Sequence, residues 1–153
     1  MILPKSLAVR LVAAQANLFS PAWLQRPDDS GVFPTNGDRY VAEELWRLQN
    51  LPPAVYNGYL LQAIAAAWHR MGPERLKVIG ERITHVLVCT GDQDVMIHHT
   101  HSDVLVKGIG GSAVKRVFEG VGHVLNFEIE KEYNQMIQGF VTAAYESAGT
   151  TDS

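Results

Sequence analysis

Two short apolar segments, each running straight into a glycine-bearing polar loop, constrain this chain more than any other feature. Val86-Leu87-Val88-Cys89 is continuous rather than alternating, the pattern of a strand covered on both faces, and it passes into Thr90-Gly91-Asp92-Gln93-Asp94. The second segment, "AVKRVFE", passes into Gly120-Val121-Gly122-His123. A helical stretch separates them, so the spacing predicts two parallel strands, at about 84–90 and 114–118, joined by a crossover helix. The fold class is therefore α/β. In an open parallel sheet, catalytic and binding groups collect at the carboxyl ends of the strands. Parallel neighbours would bring both loops to one rim, where a carboxylate from the first can meet the imidazole of the second. A carboxylate bonded to one ring nitrogen fixes the tautomer and leaves the other nitrogen a competent base.

The remaining segments read as helices. Leu7, Leu11, Ala14 and Leu18 recur on one face of a helix at about 5–19. After it, "SPAWLQRPDDSGVFPTNGD" is rich in turn formers and reads as a loop. It is long for a compact domain, so a functional lid or a poorly supported region is expected there. A helix near 38–50, with Val41, Leu45 and Leu48 on one side, ends at Leu51-Pro52-Pro53. From Asn57, Leu60, Ile64, Ala67, Trp68 and Met71 line one helical face before Gly72-Pro73. "PERLKVIGER" adds a short helix with proline at its first position. The crossover helix, about 101–108, should turn Val104, Leu105 and Ile109 inward. The last helix, 128–146, carries Tyr133, Ile137, Phe140, Val141 and Ala144. Residues 1–57 thus form a helical segment and 58–147 the strand-bearing part, with 148–153 expected as a disordered tail.

Composition narrows the classes of function. A length of 153 residues suits one domain, and 46% apolar with 19% charged residues is ordinary for a globular chain. The net charge of −3 and the absence of any basic run argue against nucleic acid as a partner. The lone cysteine, Cys89, cannot form an internal disulfide, and no glycosylation sequon occurs, which points to the cytoplasm. No apolar run reaches the roughly 18 residues that a membrane span requires. The acid-poor start, "MILPKSLAVRLVAAQA", loosely resembles a targeting segment, but Arg10 interrupts its apolar stretch and an amphipathic helix is the better reading.

"VLVCTGDQDVMI", followed about 29 residues later by "VFEGVGHVLNFEIEKEYNQMIQGF", resembles the C-terminal end of the α/β-hydrolase family. Members carry Gly-X-X-Asp after the seventh strand, Gly-X-Gly-His after the eighth, and then a final helix. "NGYLLQAIAAAWHRMGPERLKVIGERI" is similar to the helix leading into the seventh strand. "LFSPAWLQRPDD" and "PTNGDRYVAEEL" are similar to the lid region of esterase-like members. The resemblance implies a partial α/β-hydrolase fold preceded by a helical lid, with Asp94 as the triad acid and His123 as the triad histidine. It implies a serine hydrolase of esterase or lipase type, an ester or related acyl substrate, and no cofactor. Asp92 competes for the acid role, but the family's acid is the third residue after the glycine, and Asp92 more simply caps the turn.

The family's serine sits on a Gly-X-Ser-X-Gly elbow between strand and helix. Ser6, Ser20, Ser30, Ser102, Ser112, Ser147 and Ser153 all lack that context, and Cys89 lies inside the apolar strand. The oxyanion donors belong to segments upstream of any represented here. An N-terminal half holding strands one to six is therefore expected to be missing, with the chain inactive alone. Its first strand would keep an open edge suited to self-association or a partner chain. A non-catalytic interaction module built on that edge and the apolar helices is the alternative function. Three further features have plain explanations. His98, His99 and His101 lack a usual zinc spacing, and Thr100 with Asp103 suggests a helix-capping box. "GIGGSA" satisfies a dinucleotide fingerprint but runs from helix to strand, so a turn explains it better. His69 and His85 carry no assigned chemistry, and Trp23, Trp46 and Trp68 read as packing.

Overall fold

A computed structural model describes residues 7–50 and 56–149 of the chain. In order these form α1 (Leu7–Leu18), α2 (Pro21–Gln25), α3 (Asn36–Asn50), α4 (Tyr56–Trp68), α5 (Pro73–Arg82), β1 (Val86–Gly91), α6 (His101–Ile109), β2 (Ala113–Phe118), α7 (Leu125–Glu128) and α8 (Glu130–Gly149). The chain is thus mixed α/β, with β1 and β2 paired in parallel from Val86↔Ala113 to Gly91↔Phe118. No described helix is long and apolar enough to cross a membrane.

The turn-rich stretch after α1 departs from expectation. It contains helix α2, which begins because Pro21 sits at its first position and the Ser20 hydroxyl accepts the Trp23 N–H. Nor is the stretch poorly supported. Asp28 is buried and accepts from Arg39 (2.9 Å), Ser30 and the Phe33 N–H, while Asn36 donates to the Trp23 carbonyl. The Ser30 hydroxyl is the chief influence holding the Asp28 carboxyl below its ordinary pKa, against the upward push of burial. Trp23 stacks on Phe19 at 4.4 Å, and the Arg39 guanidinium lies 5.9 Å from its ring centre. Helix α3 then starts on a side-chain N-cap, in which Thr35 Oγ1 accepts the Asp38 N–H and donates to Asp38 Oδ2.

Several sequence expectations about burial also fail. Strand β1 is half-buried over Val86–Cys89 and fully buried only at Thr90 and Gly91. Val104 and Leu105, expected to face inward, are 63% and 39% exposed, and Ser102 is the buried residue of α6. The apolar face of α4 meets solvent, with Leu60, Ile64 and Trp68 exposed together with Met71 beyond its end. Of the tryptophans only Trp23 is packed, since Trp46 and Trp68 are exposed. Ala148 and Gly149, expected in a disordered tail, belong to α8, and the rest of that expectation (150–153) lies outside the described residues, as does the Leu51-Pro52-Pro53 stop.

Candidate acid–base site at the strand ends

The loops that leave β1 and β2 are sewn together along one rim. Asp92 N–H donates to the Phe118 carbonyl (3.0 Å) and Gln93 N–H to that of Val121 (3.0 Å). The Asp92 carboxylate accepts the Gly120 N–H at 2.7 Å, so Asp92 caps the turn, as its position suggested. The approach is close enough to demand glycine at 91, because a Cβ there would overlap the Val121 carbonyl oxygen.

At this rim Asp94 and His123 meet. His123 Nδ1 lies 2.9 Å from Asp94 Oδ2, and the other carboxylate oxygen accepts the N–H groups of Met96 (2.9 Å) and Ile97 (2.8 Å). The Asp94 side chain is 7% exposed and that of His123 29%. Burial alone would raise the Asp94 pKa. The Ile97 N–H and the His123 ring, helped by the Met96 N–H, outweigh it and hold the carboxyl below its ordinary value of 3.8. At neutral pH Asp94 is therefore an ionised acceptor, so the tautomer it selects in a neutral imidazole has the proton on Nδ1 and the lone pair on Nε2. A carboxylate-bonded imidazole of this kind can take a proton from a group placed at Nε2.

Two sets of contacts that sequence reasoning did not anticipate hold the histidine loop. Leu18 O accepts both the His123 N–H (2.9 Å) and the Val124 N–H (3.2 Å). Glu128, 5% exposed, accepts the Ser20 N–H, the Ser20 hydroxyl and the Gly122 N–H. A Cβ on Gly122 would stand 2.7 Å from both Glu128 Oε1 and Ser20 N, which explains glycine before the histidine. Glu128 lay within the expected last helix. A charged residue immediately after an exposed Phe127 carries no sequence mark of burial beyond its place at the break between α7 and α8.

A depression of about 190 Å³ opens beside the pair, lined among others by Cys89, Thr90, Ser102, Leu105 and His123. None of the nucleophile candidates there is activated. The Ser102 hydroxyl is committed to the His99 carbonyl. Burial raises the Cys89 pKa, only partly offset by Arg116, so its thiol stays protonated and unreactive. Ser112 precedes β2 whereas His123 follows it, about 20 Å away along a six-residue strand. The His85 ring, near Ser147 Oγ at 3.1 Å, precedes β1 and so also belongs to the opposite end.

Among the described residues no group of three or more His, Cys, Asp or Glu side chains is arranged to hold a metal ion. The expected capping box at Thr100 is not formed. Thr100 has helical backbone angles and no capping bond, its hydroxyl meets His98 Nδ1 at 2.9 Å, and Asp103 pairs with Lys115 at 2.5 Å. "GIGGSA" is a turn leading into β2, with Gly110 at φ 89°. Comparison with protein-family models, with curated proteins and with solved structures gives no match to this chain.

Proposed function

We propose that this chain supplies the acid and the base of a serine-hydrolase triad, as the C-terminal part of an α/β-hydrolase fold preceded by a helical lid. The observation that carries the reading is the 2.9 Å contact between Asp94 and His123, made where two adjacent parallel strands end. The serine comes from a segment outside this chain's 153 residues, since no serine here stands on a strand-to-helix elbow. In the assembled site that serine attacks an ester or related acyl carbonyl while His123 Nε2 takes its proton. The imidazolium, stabilised by Asp94, then protonates the leaving alkoxide. Water next attacks the acyl-enzyme with His123 again as base, releasing the acid and restoring the serine. No cofactor enters this chemistry.

A fluorophosphonate probe tests it. The chain alone is expected to remain unlabelled and to show no esterase activity. A polypeptide that joins it to an upstream segment bearing Gly-X-Ser-X-Gly is expected to be labelled and to hydrolyse p-nitrophenyl acetate. In that polypeptide His123→Ala should lower kcat by about 10⁴-fold. Labelling of a serine within these residues, or undiminished turnover in His123→Ala, would overturn the reading. Exposed Leu60, Leu61, Ile64 and Trp68 on α4 favour a second reading, a non-catalytic interaction module. A monodisperse monomer that binds no hydrophobic dye would count against that one.

A further inference from the structure

We propose that Glu128 is a positioning residue for His123, stapling the Gly122–Val124 corner to the Leu18–Ser20 segment so that the ring is aimed at Asp94. The inference rests on the acid–base reading of Asp94 and His123 given above. His123 is held by two handles. Its ring is bonded to Asp94, and its main-chain N–H donates to the Leu18 carbonyl. Asp94 is fixed without help from the histidine, through the Met96 and Ile97 N–H groups. Any movement of the main chain at 123 therefore changes the separation between Nδ1 and the carboxylate.

Glu128 ties the segment that follows Leu18 to the corner that precedes His123. Its Oε1 accepts the Ser20 N–H at 2.8 Å and the Gly122 N–H at 2.9 Å, and its Oε2 accepts the Ser20 hydroxyl at 2.6 Å. One carboxylate thus gathers a donor from Gly122, six residues before it, and donors from Ser20, 108 residues before it. Ser20 is 2% exposed, so these bonds form away from solvent, where leaving one unmade is costly. A carboxylate suits the position because all its partners are donors. An amide would turn NH₂ toward the Ser20 hydroxyl or toward the two N–H groups. Phe127 and Phe19, in edge-to-face contact at 6.4 Å, pack beside the staple and hold the same two segments.

The test uses the full chain, with His123 followed by NMR. In Glu128→Ala, hydrogen exchange at the His123 amide is expected to quicken roughly ten- to hundredfold. The bonded Nδ1–H signal should weaken and the ring nitrogen shifts should lose their single-tautomer pattern, while β1 and β2 amides keep their protection. Glu128→Gln, which can keep both N–H bonds, should restore the ring signals most of the way. If Glu128→Ala quickens amide exchange but leaves the ring signals unchanged, Glu128 is a structural clamp alone and the proposal falls. Should Glu128→Ala fail to fold, Ser20→Ala removes one bond of the three. A few-fold effect in the same direction then supports the proposal, and no effect on the ring overturns it. Asp94→Asn separates the two readings: if it leaves the His123 ring unchanged, the acid–base reading fails whatever Glu128 does.

Discussion

At the rim, Ser20, Asp94 and Glu128 are buried and hydrogen-bonded, whereas along α4 Leu60, Leu61, Ile64 and Trp68 stand 43–82% exposed. Polar and apolar groups have exchanged their usual places between these two regions. Among the described residues five hydrophobic side chains are fully buried against seven polar or charged ones. Order at the rim comes from directional bonds whose loss would strand a buried donor or acceptor. The flank has no such constraint. A fully buried Trp or Leu is worth about 2–3 kcal/mol, and α4 leaves that stabilisation unrealised. The rim is consequently held by bonds within the described residues, while the flank leaves its apolar side chains uncovered.

Three substitutions would break or sharpen this contrast. Gly91→Ala should have the largest effect, about 3 kcal/mol in urea unfolding, because the new methyl overlaps backbone that cannot swing aside. A loss below about 0.5 kcal/mol would mean that the rim is not the ordered region. Asp94→Asn comes next, at about 2 kcal/mol near neutral pH, from the weakened bond to His123. Its pH dependence has a definite sign. The folded carboxyl titrates below the ordinary 3.8, so its contribution is complete above that value and is lost as pH falls through the lower folded one. The gap between wild type and Asp94→Asn should therefore close in the window below pH 3.8, which acid-unfolding curves of the two would display. Trp68→Ser, at an 82% exposed position, should change stability by no more than about 0.5 kcal/mol and reduce dye binding. A cost of about 3 kcal/mol would show that α4 is covered in solution.

Sequence periodicity located both strands, their parallel pairing and the loops that follow, because apolar runs ending in glycine-rich polar turns are local signals. The meeting of Asp94 with His123 was legible for the same reason: topology alone sends both loops to one rim. Burial was not legible. A helical stripe such as Leu60-Ile64-Trp68 records an intended contact, not whether the contacting layer is part of the chain. Glu128 escaped because its donors, Ser20 and Gly122, lie far away or hide in the backbone, which leaves no spacing to read. The Asp28 network was missed likewise, since Pro, Asp and Gly suggest a loose loop until Arg39 and Asn36 are folded against it.

The link between Ser20 and Glu128 also sets an order of events during synthesis. Ser20 leaves the ribosome 108 residues ahead of the carboxylate that receives it, a wait of roughly 5–20 s at ordinary elongation rates. Through that interval the first helices have no anchor on the strand unit, and the imidazole loop has yet to be translated. The seat of His123 is therefore closed only once Glu128 has been translated, when the Ser20 segment and the histidine corner can first be joined.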